Sequence, residues 1–260
     1  HNYNSTDTPQ SGEDFTYDIN QYAYFEGNSA DHGGGLAIYI DDNSSLPQST
    51  AFKVNVNGAV FKNNTASAEA GAMKINLGSN NYQLSLNLNS GTFEGNSAPN
   101  GGAIYSWRGE VSSAENGSCT FTGNTATTSG SAIYVNRSDF TLKNAEFANN
   151  TATNNDGAIY LVNSTMTMDN GYIHDNLSGG FGGGICAIGS SFSMSNGRIE
   201  HNTAGLHGGG IYFDNSKGGD SNTGVANRKF SFSGGSISGN TSGGFGGGVC
   251  IYTGNQDGCS

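Results

Sequence analysis

An asparagine returns eight times along this chain in one fixed context. The contexts begin at Phe25, Phe61, Phe93, Phe121, Phe147, Ile173, Ile199 and Ile237, and each runs large apolar residue, two variable residues, asparagine. The asparagines are Asn28, Asn64, Asn96, Asn124, Asn150, Asn176, Asn202 and Asn240. A run of small residues leading into an apolar one follows, as in Gly101-Gly102-Ala103-Ile104 or Gly208-Gly209-Gly210-Ile211. Between Phe121 and Ile199 the period is 26 residues three times running, and elsewhere it stretches to 28, 32, 36 and 38. A repeat of this length decides the architecture before any other feature is weighed, because each unit must bury its apolar face on its neighbours.

Within a unit the apolar residues alternate. Phe140-Thr141-Leu142, Met166-Thr167-Met168, Phe192-Ser193-Met194 and Phe230-Ser231-Phe232 have the period of two that marks a half-buried strand. Ile133-Tyr134-Val135 and Ile159-Tyr160-Leu161 repeat it. Three strands per unit are expected: one ending at the asparagine, one at the Ile-Tyr positions, and an alternating strand that closes the coil. Stacking like on like, they predict an all-β fold, a parallel β-helix (solenoid) of about eight three-stranded coils. Helical repeats do not fit, since no stretch has a 3.6-residue period and glycine is frequent inside the units. The 42 glycines come with only 3 prolines and no Gly-X-Y period, which excludes collagen. Only 34% of residues are hydrophobic, too few for a spherical core and enough for a thin, elongated one. Residues 1–24 read as an N-terminal arm (1–14) and a first closing strand (15–24), and residues 25–260 as a single repeat domain.

The paired motifs F-x-x-N and G-G-A-[ILV] resemble the polymorphic outer membrane protein repeat of chlamydial surface proteins. Phe93 to Asn96 with Gly101 to Ile104 has both in full, and Phe147 to Asn150 with Gly157-Ala158-Ile159 is close. The last three units depart, with Ile for Phe and a third Gly for Ala. The resemblance covers about residues 25–250. It implies a right-handed β-helix displayed at a cell surface, often in adhesion, and does not extend to the membrane-barrel domain of that family.

The eight asparagines are expected to stack at one corner about 4.8 Å apart, the spacing of paired strands. There they satisfy turn groups and one another, a structural ladder. In the Ile-Tyr strand the residue between two inward ones points out, giving the row Tyr105, Tyr134, Tyr160, Cys186, Tyr212, Cys250. Its tyrosines are a candidate contact stripe for sugar rings or a neighbouring chain. His174 falls beneath Glu200 and Asp175 beneath His201; these four are a weak candidate metal or acid–base cluster, although cross-strand ion pairing explains them as well. Glu26, Lys62 and Glu94 alternate in sign on that same face. No cofactor motif, resident metal or catalytic residue is assigned.

The net charge of −11, with 10 Lys and Arg scattered along the chain, leaves nothing to neutralise a phosphate backbone, so nucleic acid is not an expected partner. No run of 18 apolar residues is present, so no helical membrane insertion is expected. Sequons mark Asn4, Asn43, Asn63, Asn116, Asn136, Asn149 and Asn163 as N-glycosylation candidates; Asn176 and Asn240 carry the motif but belong to the ladder. Four cysteines are too few for a disulfide scaffold. Cys119 occupies a row of Ala and Gly and reads as a buried thiol. Cys250 with Cys259 can close a short disulfide loop, leaving Cys186 exposed and alone.

Enzymes on β-helices need acids converging on adjacent coils, or acids beside a cationic base. Arg108, Arg137 and Arg198 read as standing in different rows, and the only long inserts are at 41–52 and 214–229. The expectation is a non-enzymatic extracellular or cell-surface structural or adhesive protein, meeting glycans or a host or neighbouring cell surface. A polysaccharide-binding or polysaccharide-degrading lyase or hydrolase is the alternative. Neither end shows a capping helix, a proline or a charged edge strand, so end-to-end self-association into a filament or surface layer is also expected.

Overall fold

The computed structural model describes residues 14–41, 50–78, 82–216 and 228–254. They form a parallel β-solenoid with three faces: one sheet of 13 strands and two of 8 strands each. Like residues stack on like residues, as expected from the repeat: Phe93 pairs with Phe121, Phe121 with Phe147, and Phe147 with Ile173. Residues 15–24 belong to this stack, because Phe15–Asn20 and Tyr24–Glu26 both pair with Ala51–Lys62.

The division of the coil differs from the sequence reading in one respect. The closing strand of one coil and the opening strand of the next share a face, and at Ala51–Lys62, Gln83–Glu94 and Glu110–Thr122 they are a single strand of 12 or 13 residues. The third face comes from residues just after the asparagine, such as Ser97–Asn100, Thr125–Ser129 and Thr151–Ala152. These strands point one small residue inward, Ala98, Ala126 or Ala152. A strand this short shows no readable period, and its Ser-Ala or Thr-Ala pairs look like turn.

The core is a thin column. Phe25, Phe61, Phe93, Phe121 and Phe147 stack face to face with ring centroids 4.5–5.0 Å apart and planes within 5°. Burying each ring stabilises the fold by roughly 1.5–3 kcal/mol, and ring pairs add about 0.5–1.5 kcal/mol beyond area. Ile173 and Ile199 continue the column, fully buried. Opposite them stand Ile104, Ile133, Ile159, Ile185 and Ile211, also fully buried. A chain poor in apolar residues folds because most of its buried ones line this one channel.

The asparagine ladder runs unbroken from Asn28 to Asn240. Asn124 shows the pattern: its Oδ1 accepts from the backbone N and from Nδ2 of Asn96, both at 3.0 Å. Its own Nδ2 donates to the Phe93 carbonyl at 2.9 Å and to Asn150 Oδ1 at 3.0 Å. The same bonds join Asn64 to Asn96, Asn150 to Asn176, and Asn202 to Asn240. The left-handed residue is the one before each asparagine. Asn63, Asn149, Asp175 and His201 hold φ of 53–56°, and glycine stands there in the other coils. Gly, Asn, Asp and His are the residues that take this conformation most readily.

The small-residue motif has its own geometry. Its first position is left-handed, as at Gly101 with φ 64°. A Cβ on the second, Gly102, would fall inside the carbonyl oxygens of Ser131 and Thr125 of the next coil. The third position, Ala103, Ala132 or Ala158, faces the core and is fully buried.

A second ladder closes the corner after the Ile-Tyr strands. Ser138 N donates to Ser164 Oγ at 3.2 Å, and Ser164 N donates to Ser190 Oγ at 3.0 Å. The hydroxyls of Ser138, Ser164 and Ser190 each donate to the carbonyl two residues back, at 2.8–3.0 Å. Here too a left-handed residue precedes the polar one: Arg137, Asn163 and Gly189, with Arg108 one coil earlier.

Candidate functional site

Outside the sealed core, function must lie in the outward rows. The tyrosine row is in register, Tyr105 on Tyr134, Tyr134 on Tyr160, and Cys186 on Tyr212. It is not the free stripe expected from the sequence. Tyr105 and Tyr212 are each 6% exposed, Tyr134 and Tyr160 are half-buried, and Cys186 and Cys250 are fully buried. The cover is the residue before the left-handed position of the small-residue corner, a position held by Ala70 in one coil and by glycine in the others, and it folds over the row. At one end Glu69 lies 2.6 Å from Lys74 Nζ, and that ammonium sits 5.7 Å from the Tyr105 ring centroid. At the other end Phe181 stacks on Tyr212 at 4.5 Å, with His207 and Phe245 continuing the ring column. Burial pushes the phenols of Tyr105, Tyr134, Tyr160 and Tyr212 above the ordinary value, and the Glu69 carboxylate adds to this at Tyr105 and Tyr134. Aligning the chain on its glycine runs puts His32, Glu69, Phe181, His207 and Phe245 in one row, the signal that this cover exists.

The four residues His174, Asp175, Glu200 and His201 are neighbours in register, with His174 paired to Glu200 as expected, yet their side chains diverge. His174 Nε2 meets Glu146 Oε1 at 2.9 Å, and its Nδ1 meets Asp175 Oδ2 at 2.7 Å. Its ring lies on Tyr172 at 3.8 Å. Glu200 turns to Arg198 at 3.6 Å and to the Ser238 hydroxyl at 3.3 Å. His201 is exposed and occupies a left-handed turn position. Among the described residues no group of three or more His, Cys, Asp or Glu has the geometry to hold a metal ion. The charge alternation on this face is realised by Lys62 and Glu94, 3.0 Å apart.

The cysteines divide as well. Cys119 is a buried free thiol, and burial pushes its pKa up to about 12. Cys186 is buried beside Tyr212 and Cys250 rather than exposed, because the Phe181 corner covers it. Cys250 is disulfide-bonded; Cys259 lies outside the described residues. Of the sequon asparagines, Asn63, Asn116 and Asn149 are exposed and Asn163 is half-buried. Asn136 is buried, a correction to its candidacy, since it sits on the tyrosine-bearing strand beside Trp107. Asn4 and Asn43 lie outside the described residues, as do most of both inserts.

One site escaped the sequence reading. Arg108 and Arg137 stand in the same row on adjacent coils: Trp107 pairs with Asn136, and Arg108 N donates to the Asn136 carbonyl at 3.0 Å. The signal is in the sequence, since Arg108 and Arg137 stand three residues after Tyr105 and Tyr134 of the tyrosine row, and the same register extends past the strand into the corner. Both arginines line an open groove of about 420 Å³ that crosses four coils, with Gln83, Glu110, Asp139 and Thr165 among its walls. The Arg137 guanidinium lies over the Trp107 ring at 5.4 Å.

Comparison with known proteins agrees with this architecture. The Chlamydia polymorphic membrane protein repeat matches residues 90–106 and 118–136, two segments that each contain a core phenylalanine and a ladder asparagine. No curated protein and no solved structure matches the chain. The matched segments occupy successive coils of one stack, and the same ladder and corner recur on the coils around them. The chain is a parallel β-helix, and two of its successive coils are similar to the Chlamydia polymorphic membrane protein repeat.

Proposed function

We propose that this protein is a non-enzymatic structural or adhesive β-helix of the cell surface. The observation that carries the reading is the unbroken asparagine ladder, which makes a sealed, register-locked rod whose outward rows vary from coil to coil. A rod of that kind holds ligand-contacting side chains at fixed spacing, which suits adhesion to glycans or to a neighbouring cell. The Chlamydia polymorphic membrane protein repeat supports a surface location. Solid-phase binding to glycan-coated and cell-coated plates, run beside a reducing-end assay on acidic and neutral polysaccharides, tests it. Saturable binding without new reducing ends is expected. Reducing ends released in proportion to protein would overturn it in favour of a lyase or hydrolase.

End-to-end self-association belongs to the same proposal. At one end of the described stack Phe230, Ile237, Val249 and Ile251 are half-buried and Phe232 is 47% exposed, around an open apolar hollow of about 360 Å³. At the other end the edge strand Phe15–Asn20 pairs on one side only. Both edges are parallel strands of the same sheet, so a second copy can continue the stack, a heterologous contact that propagates. Light scattering should show mass rising with concentration, and strict monomers at high concentration would rule it out.

A further inference from the structure

We propose that the groove containing Arg108 and Arg137 is a binding site for an anionic oligosaccharide. The first support is a backbone conformation. The corner after the Ile-Tyr strand is left-handed in four successive coils, at Arg108, Arg137, Asn163 and Gly189. Asn and Gly take that conformation cheaply, whereas other L residues are strained there by about 1–3 kcal/mol. Two successive coils nevertheless place arginine at this point. Such strain persists where a side chain has a use for the position it is forced into.

Charge supplies the second support. In a chain of net charge −11, two arginines stand on neighbouring rungs, whose backbones are about 4.8 Å apart along the stack. Among the described residues, ion pairs to carboxylates engage Lys53, Lys62, Lys74 and Arg198, and Arg108 enters none of them. Its hydrogen bond goes to the Gly78 carbonyl at 3.4 Å. A planar fork with donors to spare is suited to a carboxylate or sulfate, which it can hold through two parallel bonds.

The rest of the groove selects a sugar over other anions. Its walls are amides, hydroxyls and carboxylates, and it runs across coils rather than into the core. Glu110 and Asp139, each one residue before the paired Val111 and Phe140 and both exposed at its lip, are acceptors for sugar hydroxyls. They also disfavour a densely charged polyanion, so that an oligosaccharide with spaced charges fits best. The inference does not depend on the adhesive reading, since release of reducing ends would overturn that reading and leave binding here intact.

Trp107 is the only tryptophan of the chain, and it lies under Arg137, so its fluorescence reports on this groove. The test titrates the whole chain with tetragalacturonate, its fully methyl-esterified form, and a sulfated galactan tetrasaccharide, with calorimetry beside fluorescence. Saturable binding of the uronate or the sulfated sugar is expected, with the arm that binds identifying the anion, and at least tenfold weaker binding of the methyl ester. Arg108→Asn/Arg137→Asn should weaken binding at least tenfold while the melting temperature does not fall, because Asn163 already occupies this corner. Equal binding of the methyl ester, full binding by the double variant, or no saturation of any arm would overturn the proposal.

Discussion

Two corners of the same coil solve the same problem with different strictness. Each puts one residue into the left-handed region and follows it with a polar side chain that caps the turn of the next rung. At the asparagine corner every described rung keeps the amide, and the left-handed place goes only to Gly, Asn, Asp or His. At the serine corner the hydroxyl ladder spans three rungs, Ser138 to Ser190, and arginine appears in the left-handed place. The difference follows from valence. An amide donates twice and accepts, so it can bond its neighbour above and the backbone below at once, whereas a hydroxyl has a single proton. The stricter corner locks the register, and the looser one is free to vary and to carry a ligand site.

The comparison can be broken at the strict corner first. Replacing Asn124 by Leu removes the acceptor of the Asn96 backbone N, one of the two acceptors of Asn96 Nδ2 and the side-chain donor to the Phe93 carbonyl, all in a buried turn. At about 1–3 kcal/mol for each unsatisfied group, a loss of about 3–5 kcal/mol after relaxation is expected, read by denaturant unfolding. The exposed Asn116, replaced likewise, should change little. At the looser corner, Ser164→Ala removes one bond accepted from Ser138 N and one donated to the Val162 carbonyl, so about 1–2 kcal/mol is expected. Arg108→Asn should act in the opposite direction, raising stability by up to about 1 kcal/mol as the left-handed strain is relieved. Smallest of all, Lys62→Gln removes an exposed pair with Glu94 and should leave the unfolding midpoint unchanged, because solvent-exposed ion pairs contribute little.

The strict corner was also the legible one. Asn28 to Asn240 could be read directly, because a row that must repeat on every rung imposes its spacing on the chain. The phenylalanine column and the inward isoleucines were legible for the same reason. The short face at Thr125 and Thr151 was not, since a strand with one inward residue has no period to detect. The pairing of Arg108 with Arg137 emerges only when the tyrosine register is carried past the strand into a left-handed turn, and the burial of Cys186 depends on Phe181, a residue from another corner. Rows built by a single strand can be read from the sequence, whereas surfaces where two corners meet cannot.

The central claim is that the asparagine ladder ties successive coils into one cooperative unit. Residue-resolved hydrogen exchange measures this directly, because the backbone N–H of Asn64, Asn96, Asn124, Asn150 and Asn176 each donates to the side chain of the next rung. These amides should be among the slowest in the molecule and should share one opening free energy, equal to the global unfolding value from denaturation. Exchange of these amides as fast as that of exposed turn residues, or with free energies that differ from rung to rung, would contradict the account.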